Sequence, residues 1–273
     1  MSAVQMWLPD GTCYLAFRGT DDTFIGWKED LCFCYMHETA GQKQALKYIQ
    51  EQFHGKEIKL RLGGHSKGGN FAIYAATFAD SSIQQNIVEI WSNDGPGFMH
   101  EVTETNAYQR IQPLVKAIVP ECSVIGMLMY SLGEKKVIMS SGNGLMQHAA
   151  ETWQCERNHF IVREGRSYNS VLADKTIRTW LDHLTMEERK IFIDTVFDII
   201  ASSGATCVSE FNRSLITNLP KIAKKLGTLP KEKSANFNKV IFHLAKSYVS
   251  ESTDSITKVV KDTTANFMKQ WIR

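Results

Sequence analysis

Residues 61–72 read RLGGHSKGGNFA. A strand-like run, IKLRL (58–62), leads into this stretch, and the small and apolar residues from Asn70 to Ala79 lead out of it as a helix. Between them, Gly64-His65-Ser66-Lys67-Gly68 has the form G-x-S-x-G. The pentapeptide alone says little. Between a strand and a helix it is the setting of a nucleophile elbow. A serine held there adopts a strained backbone conformation, so the residues two away must lack side chains; Gly64, Gly68 and Gly69 meet that need. The competing reading is a glycine-rich loop that is merely tight or that cradles a phosphate. The helix opening at Lys67 aims free N–H groups at whatever the serine attacks, so the Lys67 N–H suits an oxyanion hole. The Lys67 side chain is expected to point to solvent.

Upstream, Met1–Leu8 and Cys13–Arg18 are strand-like runs joined by Pro9-Asp10-Gly11-Thr12, a hairpin signal, so the chain begins inside a sheet. GQKQALKYIQEQF (41–53) places Ala45, Tyr48, Ile49 and Phe53 at helical spacing. Downstream, residues 87–92, 115–119 and 136–139 read as further strands, and Asn93-Asp94-Gly95-Pro96-Gly97 reads as a loop. Strands alternating with helices predict an α/β fold with a mostly parallel sheet and an antiparallel start. Beyond about residue 172 the pattern turns helical. Thr185 and Glu188 form a capping box, the helix it opens presents Phe192, Val196, Ile199 and Ile200, and a last helix covers 237–271. The chain thus divides into an α/β core, 1–172, and a helical region, 173–273, which is either a separate domain or a cover for the sheet.

A serine nucleophile needs a base and an orienting acid, in chain order Ser, acid, His for this fold. Of the eight histidines, His100, His148, His159, His183 and His243 follow Ser66. His148 alone follows a strand and a glycine-rich loop (VIMSSGNGLMQH); His159 reads as a strand residue and His183 as a helix end. Asp94 directly follows a strand and can project over the sheet edge toward the histidine. Glu121 follows the next strand and is the alternative acid. A turn aspartate that caps its own loop is the structural reading of Asp94. The second oxyanion donor falls in AFRGTDD (16–22), where Gly19 permits close approach and Thr20 offers its N–H and hydroxyl; Arg18 is expected in a structural ion pair. In TFIGWKEDLCF, Phe24, Trp27 and Leu31 share a helix face, which forms either a short lid anchored by Trp27 or a core helix.

Taken together, FRGTDDTFIGWKEDL, LGGHSKGGNFAIYAA, SNDGPGF and GLMQHAAETW, in that order, resemble the Mbeg-like family of uncharacterised bacterial α/β-hydrolases, which is similar in turn to class 3, fungal-type, lipases. The resemblance runs from about residue 2 to about residue 210. It implies Ser66 as nucleophile, His148 as base, Thr20 and Lys67 as oxyanion-hole donors, and more chain ahead of Ser2. The sequence departs from the lipases at the acid: their aspartate matches Ser123, within Pro120–Val124, which leaves Asp94, one strand earlier, to orient the histidine. The expected activity is serine ester hydrolysis of carboxylic esters, lipids among them, with no metal or organic cofactor. A hydrolase-fold binding or scaffold protein and a serine acyltransferase are the alternatives.

Composition bounds these readings. With 273 residues and a net charge of +2, there is no bulk electrostatic case for nucleic acid. No run approaches the roughly 20 apolar residues of a spanning helix. The six cysteines lack paired metal spacing, and with no secretory signal they suit a cytoplasmic protein. Lys221, Lys224, Lys225, Lys231, Lys233 and Lys239, opposed only by Glu232, form either a solvated face or a weak contact for an anionic membrane surface.

Overall fold

The computed structural model describes the backbone of residues 1–271 and the side chains of residues 1–254 other than residue 215. Strands β1 (Ala3–Trp7), β2 (Cys13–Phe17), β3 (Leu60–His65), β4 (Ile87–Asn93), β5 (Val115–Pro120) and β6 (Lys135–Ile138) form one sheet in the order of the chain. β1 and β2 are antiparallel and every later pair is parallel, as the sequence pattern predicts. A two-stranded ribbon, β7 (Cys155–Glu156) and β8 (His159–Phe160), forms a separate small sheet, and the chain just after it bridges to β6 through Ile138 and Val162.

Helices α1 (Phe24–Cys32) and α2 (Ala40–Phe53) lie between β2 and β3, α3 (Lys67–Phe78) and α4 (Ser81–Gln84) between β3 and β4, and α5 (His100–Thr103) and α6 (Asn106–Ile111) between β4 and β5. α2 is started by a capping box, Thr39 with Gln42, and buries Ala45, Ile49 and Phe53 along one stripe. α3 is buried from Lys67 to Thr77; its glycines and alanines let it lie directly on β3 and β4. Alternation along the strands sorts the sheet into two faces. Leu15, Leu62 and Ile90 pack under α2 and α3 in the main core. The opposite face holds Trp91 and Ile118 under Trp153 and Phe160, and beside them runs a charged ladder in which Arg61 pairs with Asp10 and Glu89, and Glu89 with Lys116.

The remaining helices are α7 (Tyr168–Asp182), α8 (Met186–Ala201), α9 (Val208–Arg213), α10 (Leu215–Gly227) and α11 (Lys231–Trp271). The Thr185–Glu188 capping box starts α8, but the buried positions are Ile193, Thr195 and Ile199; Phe192, Val196 and Ile200 are only half-buried, because α1, α10 and α11 all pack on this helix. α7 reaches the sheet edge, where the Ser170 hydroxyl donates to the Ser123 carbonyl, and Lys28 of α1 pairs with Asp194 of α8 at 2.6 Å. Three of the six basic-stretch lysines have internal partners: Lys221 donates to the Ser203 carbonyl, Lys233 pairs with Asp198 and Lys239 with Glu188. Among the described residues, no helix is long and apolar enough to cross a membrane.

Candidate active site

Ser66 occupies the single-residue bend between β3 and α3, at φ 57° and ψ −130°, a left-handed conformation that costs an L-residue about 1–3 kcal/mol. The surroundings enforce it. A Cβ on Gly64 would fall 2.5 Å from the Phe17 carbonyl and against the Gly68 backbone, and one on Gly68 would strike the same carbonyl. The Ser66 N–H donates to Asn93 O at 2.9 Å, and its own carbonyl accepts from Gly69 N at 2.9 Å, so both sides of the bend are tied. The side chain is 8% exposed, and Oγ has no hydrogen-bond partner among the described residues.

Asp94 directly follows β4, with φ 51°, and is fully buried. Its carboxylate does not cap its own loop. Oδ2 accepts from His148 Nδ1 at 2.7 Å, while Oδ1 accepts from Ser123 Oγ at 2.5 Å and Gly126 N at 3.1 Å. Ser123, where the resemblance to lipases would put an aspartate, therefore serves as a donor to the aspartate one strand away. Glu121 lies apart from this cluster: its carboxylate pairs with Arg163 at 2.9 Å and makes no contact with His148.

His148 closes a short 3-10 turn, Gly144–His148, whose loop is held at several points. Gln147 accepts from Cys122 N at 2.9 Å and donates to Gly142 O at 3.1 Å. Trp153 Nε1 donates to Gln147 O at 2.8 Å, and His65 Nε2 donates to His148 O at 2.7 Å. The His65 and His148 rings lie 4.6 Å apart, which brings the histidine loop to the residue beside Ser66. Ser66 Oγ and the His148 ring form no hydrogen bond to each other; such bonds are commonly loose until substrate binds.

The loop after β2 runs against the bend, since a Cβ on Gly19 would lie 3.5 Å from Ser66 Cβ and 2.6 Å from His65 O. The N–H groups of Thr20 and Lys67 are both without partners among the described residues. The Thr20 hydroxyl, by contrast, donates its one proton to Asp30 Oδ2 at 2.6 Å, so only the N–H of this residue remains free. Arg18 is exposed and makes no ion pair among the described residues, contrary to expectation.

The largest departure from the sequence reading is Lys67. Its side chain turns inward and is 5% exposed. Nζ donates to Gly26 O at 2.5 Å and lies 3.3 Å from Glu29 and 3.4 Å from Asp30, so it lashes α1 to the bend. Glu29 also accepts from Gly41 N at 2.6 Å, at the start of α2. A buried ammonium needs such partners, and α1 supplies three on one face. α1 itself is no core helix: only Cys32 is buried, and Trp27 is 48% exposed. Lys67→Met would leave Glu29 and Asp30 facing each other uncompensated. Because both carboxylates are partly exposed, the expected loss is about 2–3 kcal/mol, below the roughly 3–5 kcal/mol of a fully buried pair, read from urea unfolding.

Burial pushes the Asp30 carboxyl up to about 6, against the pull of Lys67 and the Thr20 hydroxyl. One of its oxygens has no hydrogen bond. Since the folded value lies above the ordinary one, this group favours folding below about pH 4, and the contribution is lost as pH rises through about 6. Asp30→Asn removes that titration. The stability difference between wild type and variant is therefore expected to change by about 2–3 kcal/mol between pH 4 and pH 7, in melts run at both.

The fold and the site together define an α/β protein with a serine on a strand–helix bend and a histidine–aspartate pair on a loop anchored to the residue beside that serine. The Mbeg1-like family model matches residues 1–198, and the chain belongs to that family. No curated protein and no solved structure matches it.

Sequence reasoning missed the inward turn of Lys67, its partners Glu29 and Asp30, and the contact of His65 with the histidine loop. The position of His65 within the elbow motif was the one available signal.

Proposed function

We propose that the chain is a serine ester hydrolase of the α/β-hydrolase type, similar to lipases and acting on carboxylic esters. The observation that carries this reading is the 2.7 Å hydrogen bond from His148 Nδ1 to buried Asp94, on a loop anchored to the residue next to Ser66. In the reaction, Ser66 Oγ attacks the acyl carbonyl carbon and His148 Nε2 takes its proton. Asp94 fixes the tautomer and stabilises the imidazolium. The oxyanion of the tetrahedral intermediate is received by the N–H groups of Thr20 and Lys67, with the dipole of α3 behind them; one such donor is typically worth roughly 100- to 1,000-fold in rate. Collapse of the intermediate expels the alcohol, which leaves with the proton from His148. Water then repeats the sequence on the acyl-enzyme and releases the acid.

A fluorophosphonate probe tests the reading. Stoichiometric labelling at Ser66, with turnover of an ester chain-length panel, supports it; no labelling of the folded chain and no ester turnover overturns it. Separately, the basic stretch, with Ile222, Leu226 and Leu229 beside its lysines, offers a weak contact for anionic lipid.

A further inference from the structure

The base is held in place by its backbone as much as by its ring. Among the described residues, His148 makes one hydrogen bond through its imidazole, to Asp94, and none to Ser66. That single bond fixes Nδ1 but leaves the ring free to swing about it, so the position of Nε2 relative to Ser66 Oγ depends on where the peptide of residue 148 sits. Two consecutive carbonyls determine that position. Gln147 O accepts from Trp153 Nε1 at 2.8 Å, and His148 O accepts from His65 Nε2 at 2.7 Å. The two donor rings touch each other at 5.7 Å, and the His65 ring also lies 4.6 Å from that of His148, tilted by 36°. Of these two donors, His65 is the one that belongs to the elbow: it ends β3 and its peptide leads directly into Ser66.

We propose that His65 is a positioning residue, whose Nε2–H bond to the His148 carbonyl, with its ring contact, registers the base on the nucleophile's own turn. The inference rests on the reading of Ser66 as nucleophile and His148 as base. A carbonyl acceptor requires Nε2 to carry a proton, so Nδ1 of His65 needs none and the ring can stay neutral. Burial, and after it the neighbouring charge of His148, hold the pKa of His65 below the usual histidine value. Neutrality suits the role, because an imidazolium must form on His148 in each half-reaction and a second cation 4.6 Å away would oppose it. A misplacement of about 1 Å in such a constellation costs roughly 100-fold.

Two variants separate the donor from the bulk of the ring. His65→Phe keeps a packed ring without the N–H; His65→Gln places an amide N–H near the position of Nε2. Fluorophosphonate labelling rates and steady-state ester kinetics are measured on both, with amide hydrogen exchange over residues 142–149 as a readout independent of activity. His65→Phe is expected to lower the labelling rate and kcat by roughly 30- to 100-fold with KM changed less than about threefold, and to raise exchange in the loop. His65→Gln is expected to restore kcat to within about fivefold of wild type, with loop protection regained. Wild-type labelling rates in His65→Phe, equal losses in both variants, or a loss confined to KM would overturn the inference while leaving the hydrolase reading intact. A wild-type chain that neither labels nor turns over esters removes that reading and the catalytic role of His65 with it. Unchanged exchange in His65→Phe refutes the anchoring whatever the activity.

Discussion

Ser66→Ala is expected to abolish fluorophosphonate labelling and to lower ester turnover by roughly a million-fold, leaving a folded protein. The size of the effect follows from the chemistry: without Oγ there is no acyl-enzyme, and the bound histidine and oxyanion donors retain only a residual rate. The stability of the variant follows from the local structure. Oγ has no hydrogen-bond partner among the described residues, so its removal orphans nothing. The left-handed bend is imposed by Gly64, Gly68 and the ties of Ser66 to Asn93 and Gly69, all of which alanine keeps. The change in unfolding free energy should stay within about 0.5 kcal/mol. Intact-mass analysis after probe treatment, alongside a melting curve, checks both halves. A variant that still takes the label at wild-type rate would move the nucleophile elsewhere.

Asp94→Asn is expected to lower kcat by about 10,000-fold with little change in KM. Two donors decide how the new amide is oriented. Ser123 Oγ and Gly126 N both point at the Oδ1 position, so the asparagine oxygen must lie there and its NH₂ must face His148. That group can only donate, which forces His148 Nδ1 to accept and moves the ring proton to Nε2, where the base needs a lone pair. The geometry survives and the tautomer is wrong. Glu121→Gln, which touches only the Arg163 pair, serves as the matched control and should leave kcat within about twofold. Steady-state kinetics on the three proteins decide the matter: near-wild-type turnover in Asp94→Asn, or a comparable loss in Glu121→Gln, would reassign the acid.

Much of the fold was legible because its signals are local. The hairpin turn at Pro9–Thr12, the helical stripe of α2, the capping box of α8 and the order of strands each depend on neighbouring residues. The buried serine bend was legible for the same reason: three glycines between a strand and a helix have few structural solutions. Asp94 and His148 could be shortlisted from chain order, but the bond between them spans 54 residues, and its supporting donors Ser123 and Gly126 arrive from another loop. Lys67 was misread because a lysine at a helix start is ordinarily solvated. Only the fold reveals that α1 delivers a carbonyl and two carboxylates to it. Asp30 escaped notice because nothing in TFIGWKEDLCF marks it as the partner of both Thr20 and Lys67. The face of α8 was read from a single helix, whereas burial there is shared among three packed neighbours.

The inward lysine also restrains α1. To swing α1 aside, the molecule would have to strip the Lys67 ammonium of Gly26, Glu29 and Asp30 at once. Lys67 thus rivets α1 to the turn that carries Ser66.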